Sequence, residues 1–193
     1  SAAGRALALL LAEHVRTILD EHRARLSRHA DVTDSLLALA SDGRPLDDDQ
    51  VISIVRNWIA GHGTVAGGIS LLLLRLAEEP GLQDRLRHDP SLIPAAVEEI
   101  LRLADPLVAN RRTTTRQVEL GGRAIPAGAT LSLMWVAANR DPRAFGAPDE
   151  VRLDRDTDQG LVWGRGIHVC LGAPLARLEM RVALEEVLGR TRH

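Results

Sequence analysis

The one cysteine of the chain, Cys170, lies in the run Trp163-Gly164-Arg165-Gly166-Ile167-His168-Val169-Cys170-Leu171-Gly172, which opens directly into a helical pattern. A thiol at a helix entrance meets unpaired backbone N–H groups and the positive end of the helix dipole, which favour a soft anionic sulfur ligand. Gly164, Gly166 and Gly172 remove side chains on both sides of the sulfur, so a flat, bulky group can approach the backbone closely. A buried small hydrophobe and a nucleophilic thiol served by His168 are the competing readings. The nucleophile needs two loop side chains at adjacent-but-one positions to converge, and it gives the glycines no part.

Three further groupings carry chemistry. Ala60-Gly61-His62-Gly63-Thr64 lies within a long helical stretch, where each glycine costs roughly 1 kcal/mol. Gly61, Gly63, Gly67 and Gly68 therefore point to close approach of something flat, to local widening of the helix, or to tight helix–helix packing. Glu99 and Arg102 are three apart on one helix face, where an ion pair can form; most such pairs are solvated and worth a few tenths of a kcal/mol. Arg111 and Arg112 enter a strand with side chains on opposite faces, and a guanidinium fork suits a carboxylate.

These residues have to be positioned by a mainly helical chain. Apolar spacing predicts a helix over about 6–26 (Leu7, Leu10, Leu11, Val15, Ile18, Leu19), and a short one from Asp31 or Thr33 that ends at Gly43-Arg44-Pro45. The longest helix runs over about 50–79, with Asp47, Asp48 and Asp49 at its N-terminus. Short helices follow at 82–87 and 91–102. From 108 to 136 the texture changes to short strands (112–115, 118–120, 124–125, 130–133) joined by glycine turns. Residues 137–172 read as an irregular meander leading into the cysteine loop, and 173–189 as a last helix with Leu175, Leu178, Val182, Leu184, Val187 and Leu188 apolar. All of this reads as a single domain over 1–193, with a helical part over 1–107.

Bulk properties narrow the partners. A formal net charge of −2 gives no global field for nucleic acid, and 2% aromatic residues supply no stacking platform for bases. One cysteine excludes an intrachain disulfide and fits a reducing compartment, so a cytoplasmic location is expected. The apolar runs at 6–12 and 69–74 are short and bounded by charge, so no signal peptide or membrane anchor is expected.

The cysteine run resembles the haem-binding loop of the cytochrome P450 family: an aromatic, Gly, x, Gly, x, His or Arg, x, Cys, x, Gly, with Trp163 in place of the usual Phe. The resemblance implies the C-terminal portion of the cytochrome P450 fold, mainly α with a small antiparallel β region and a long central helix. It implies Cys170 as axial thiolate to the iron of haem b, His168 and Arg112 as propionate contacts, and Trp163, Gly164, Gly172, Ala60 and Gly61 along the haem. Glu99 and Arg102 match the buried Glu-x-x-Arg pair that supports the cysteine loop. Its usual meander partner is left unassigned among Arg152, Arg155 and other groups. Thr64 matches the threonine that helps deliver protons to iron-bound oxygen. The preceding acid is Gly63 here, so the relay must use His62, water or another group.

What this implies is a haem-thiolate monooxygenase acting on a small, hydrophobic organic substrate, with Val65, Ala66 and residues 107–109 as pocket lining. Electrons would come from a ferredoxin- or flavodoxin-type donor, for which Arg165, Arg177 and Arg181 offer a basic patch. The resemblance covers the C-terminal half of the family's usual domain, so an N-terminal half or a second chain is expected to complete the site. A P450-fold protein without normal turnover, peroxide-driven or recruiting, is the alternative; a helical interaction module with an incidental cysteine is a third reading.

Overall fold

The computed structural model describes residues 2–24, 31–41, 43–156 and 159–191. The chain divides into two compact units, Ser1–His62 and Gly63–His193, and the boundary falls inside one long helix.

The first unit holds α1 (Ala2–Ala24), α2 (Val32–Leu37), a minimal antiparallel hairpin of β1 (Ala40–Ser41) and β2 (Arg44–Pro45), and the opening of α3 (Asp48–Glu78). Asp31 caps α2 in a reciprocal box with Asp34. Asp47 and Gln50 exchange backbone-to-side-chain hydrogen bonds of 2.8 and 2.9 Å at the start of α3, which therefore begins two residues earlier than expected. Gly43, at φ +73°, turns the hairpin at the place where the sequence predicts only a helix stop. Val15, Leu19, Leu36, Val51 and Ile52 form the core, whereas Leu7 and Leu10 of the expected stripe are exposed. The expected end of α1 near residue 26 lies outside the described residues.

The second unit continues α3 and adds α4 (Pro80–His88), α5 (Ile93–Leu103), β3 (Ala109–Thr113), β4 (Val118–Leu120), β5 (Arg123–Ile125), β6 (Thr130–Met134), α6 (Trp135–Ala138) and α7 (Ala173–Arg190). Single 3-10 turns stand at Pro90–Leu92 and Gly166–His168. β3 pairs antiparallel with β6 from Ala109↔Met134 to Thr113↔Thr130, three residues earlier than the strand expected at 112. β4 and β5 close a tight hairpin through Gly121 and Gly122, both at positive φ.

The core of this unit is Leu72, Leu76, Leu86, Ile93, Val97, Ile100, Leu101, Met180 and Leu184. Gly68 lets α3 approach α7, since a methyl there would overlap the Met180 side chain, and Gly67 faces Pro106 at 3.5 Å. A methyl at Gly67 would meet Pro106 only in ordinary contact, so packing bears on Gly68 alone of the two; Gly61 and Gly63 have nothing within 4 Å among the described residues. α3 is α-helical throughout, with no widened turn. Its 31 residues are long and apolar enough, by length and composition, to cross a membrane, which the shorter runs weighed in the sequence do not reveal. Burial of Leu72 and Leu76 makes its second half a core helix. On α7 the buried stripe is Ala173, Ala176, Met180, Leu184 and Leu188, so Leu175, Leu178 and Val182 form a second apolar stripe that is exposed.

Candidate functional site

α5 has a strongly one-sided apolar face, and on that face the chain buries a charged pair: Glu99 and Arg102 each have side chains 1% exposed. Arg102 uses all five of its N–H donors. Nε and Nη2 donate to the two Glu99 carboxylate oxygens at 2.8 and 2.9 Å. Nη1 donates to the carbonyls of Asn139 and Pro148 at 2.7 and 2.8 Å, and Nη2 to that of Glu150 at 3.2 Å. Glu99 Oε1 also accepts the Arg155 Nε–H at 2.9 Å and the Arg152 backbone N–H at 3.1 Å. The third member left open in the sequence is thus the Arg155 side chain together with the Arg152 main chain. Burial by itself pushes the Glu99 carboxyl up, but hydrogen bonds from Arg102, Arg155 and the Arg152 N–H outweigh it and hold the carboxyl below its usual range. The chain's one phenylalanine, Phe145, lies under both guanidinium groups, 5.1 and 5.9 Å from its ring centre. Ala147, at φ +47°, turns its carbonyl onto Arg155 Nη2 at 3.0 Å.

The meander so fixed leads into the cysteine loop. The Leu161 N–H donates to the side chain of buried Asn139 at 2.7 Å, and the Gly164 N–H to the Leu161 carbonyl at 3.0 Å. The Cys170 N–H then returns to the Trp163 carbonyl at 2.8 Å, closing the loop on itself. Gly164 and Gly166 sit at φ +72° and +69°, and a Cβ at Gly164 would lie 3.1 Å from the His168 carbonyl oxygen, so two of the motif glycines answer to backbone geometry. A Cβ at Gly172 would sit 3.8 Å from the Cys170 sulfur. The sulfur is exposed, flanked by Ile167 at 97% and Leu171 at 95% exposure. That combination rules out the buried-hydrophobe reading of the cysteine.

Other residues singled out from the sequence are placed as follows. His168 is exposed within the 3-10 turn. Arg112 is exposed on β3 and donates to the neighbouring Arg111 carbonyl at 2.9 Å. Ala60, Gly61 and His62 belong to the first unit and Thr64 to the second, on consecutive turns of α3. His62 turns back along the helix, its Nδ1 donating to the Trp58 carbonyl at 2.8 Å. The basic patch is less free than expected. Arg177 is paired with Glu98, and Arg181 lies 3.5 Å from Glu185.

Sequence reasoning passed over Asp105, which follows α5 and is 5% exposed. Oδ1 accepts the Leu107 N–H at 2.8 Å, while Oδ2 is buried with no partner among the described residues. Burial pushes this carboxyl up to about 6, against the smaller opposing effect of the Leu107 N–H. The folded protein therefore holds this proton to higher pH than the unfolded chain does. The group lowers stability increasingly as pH rises from about 4 through about 6, and fully above that. Asp105→Asn is expected to raise stability at pH 7 by about 1–2 kcal/mol and to flatten the pH dependence across that window. Urea denaturation at a series of pH values checks this, and an unchanged profile would rule it out.

Residues 5–192 match the family model described as cytochrome P450. The chain belongs to the cytochrome P450 family. This P450 chain is 41% identical over 194 residues to the erythromycin C-12 hydroxylase of Saccharopolyspora erythraea, a match covering 93% of this chain and 48% of that enzyme. It is 38% identical over 169 residues to the cyclomarin C epoxidase CymV of Salinispora arenicola, covering 87% and 43%. Its fold superposes on a mutant of P450 EryK in complex with erythromycin B with a TM-score of 0.88 at 37% identity, over 98% of this chain and 49% of that one. The chain thus spans about half the length of the curated P450 relatives it matches. Its helices and small antiparallel ladders are part of a P450 fold, and membership of the family implies a haem cofactor.

Proposed function

We propose that the protein is a haem-thiolate monooxygenase that inserts one atom of O₂ into a small, largely apolar organic substrate. Hydroxylation and epoxidation, the reactions named for two of its relatives, are the outcomes we assign to it. The observation that carries this reading is Cys170: the chain's single thiol, exposed at the entrance of α7 and framed by apolar side chains in a loop whose backbone the meander holds. A lone soft donor with bare apolar flanks suits an axial ligand to the iron of haem b, and the thiolate ligand favours O–O cleavage.

Haem, when bound, supplies the iron at which dioxygen is activated. Cys170 would be its protein ligand. Arg112 and His168, both exposed, would bond its propionates, while Trp163, Gly164, Gly172, Ala60 and Gly61 would lie along it. Thr64 would offer a hydroxyl for proton delivery. His62 commits Nδ1 to the Trp58 carbonyl, which leaves Nε2 as the atom able to take or give a proton. Val65, Ala66, Leu107, Val108 and Ala109 would meet the substrate. A ferredoxin- or flavodoxin-type donor would bring electrons, and a reducing cytoplasm would keep the single thiol available. Gly63, standing where the family carries an acid, favours a second reading in which peroxide replaces O₂ and the donor.

The full-length protein supplied with haem, reduced and exposed to carbon monoxide, is expected to show the strongly red-shifted Soret band of a thiolate-ligated haem. An unshifted band, or no haem uptake by folded protein, would sink the reading. Oxygen-supported against peroxide-supported turnover then separates its two forms.

A further inference from the structure

Glu98 precedes the Glu99 of the buried pair and points elsewhere. Its Oε2 accepts the Trp163 indole N–H at 2.9 Å, and its Oε1 accepts a hydrogen bond from Arg177 Nε. The Arg177 guanidinium lies over the Trp163 ring, 4.6 Å from its centre. One carboxylate of α5 and one guanidinium of α7 therefore grip the same indole from its edge and its face. The gripped residue is the one whose carbonyl receives the Cys170 N–H at 2.8 Å. Trp163 also packs against the core of this unit, and a hollow of about 190 Å³ lined by Glu98, Trp163, Gly164, Val169 and Arg177 lies beside the loop. Phenylalanine at position 163 would fill the same place with no N–H to offer, so the grip depends on this chain's tryptophan.

We propose that Glu98, acting through Trp163, is a positioning residue for the Cys170 sulfur; this rests on the reading of Cys170 as the haem ligand. Arg177 serves the same grip by orienting the carboxylate and stacking on the ring, which makes it an internal partner as well as a surface cation.

Amide hydrogen exchange of the full-length protein tests the grip, and the reduced carbon monoxide spectrum tests its consequence. Glu98→Leu is expected to raise exchange in the peptide carrying the Cys170 amide about tenfold, with α5 and α7 unchanged. Trp163→Phe, which keeps an aromatic ring and loses the N–H, is expected to do the same. The double variant should exchange no faster than either single one, since both break one link. With haem present, Glu98→Leu should divide the carbon monoxide band between red-shifted and unshifted components, which general loosening elsewhere would not do. Loop exchange within about twofold of wild type in both variants, effects that multiply in the double variant, or a uniform rise across α5 and α7 would each overturn the proposal. A wild type that takes up no haem would refute the ligand reading separately, and the exchange results would still decide the grip.

Discussion

Arg102→Leu is expected to lower the free energy of unfolding by about 3–5 kcal/mol, a large fraction of what a domain has to lose. Five hydrogen bonds disappear together. The Asn139, Pro148 and Glu150 carbonyls lose their shared donor, and Glu99 keeps only Arg155 and the Arg152 N–H. Arg102→Lys should recover little, because an ammonium cannot present the planar fork that spans a carboxylate and three carbonyls. Acid sensitivity should change as well. Glu99 is held below the usual carboxylate range in the wild type, so its contribution is present above that range and is lost as pH falls through its lowered pKa. With Arg102 gone, the loss should begin at higher pH. Urea unfolding at pH 7 and at mildly acidic pH measures both effects. A loss below about 1 kcal/mol would mean the pair behaves as a surface pair.

Cys170→Ser should have the opposite character: a complete change in ligation with little change in stability. The sulfur is exposed, and an isosteric surface replacement is normally worth no more than about 0.5 kcal/mol. A neutral hydroxyl does not replace a thiolate as an iron ligand, so the red-shifted carbon monoxide band should vanish while the unfolding midpoint stays. Cys170 is the one cysteine of these 193 residues. Persistence of the band in the serine variant would therefore exclude Cys170 as the ligand.

Some of this was readable before any coordinates, and some was not. Periodicity located α1, α3 and the helices around residues 82–102, because those elements are amphipathic and begin or end at Asp, Pro or Gly signals. It also located α7, but not its buried face, because two apolar stripes compete and small residues, Ala173 and Ala176, take the buried one. The glycines of α3 look alike in sequence, yet a Cβ would overlap a neighbour at Gly68, while at Gly61 and Gly63 it would meet nothing within 4 Å among the described residues. The spacing of Glu99 and Arg102 was visible, but their burial was not, since the same spacing is usual on wet helix surfaces. Arg155 is one of several meander candidates in the sequence and Asn139 carries no local signal: they meet α5 only after the meander has folded back over more than thirty residues. In sequence Glu98, a single carboxylate beside a charged pair, reads as solvated, and Arg177 reads as part of a basic patch for the electron donor.

Glu98 and Glu99 are consecutive, so their side chains leave α5 about 100° apart around its axis. One holds the cysteine loop through Trp163, and the other holds the meander through Arg102 and Arg155. Mechanically, α5 is a shaft with two cranks. A rotation about its own axis cannot shift the meander without also pulling on the cysteine loop, and any load borne by that loop is transmitted to the buried network at the neighbouring residue.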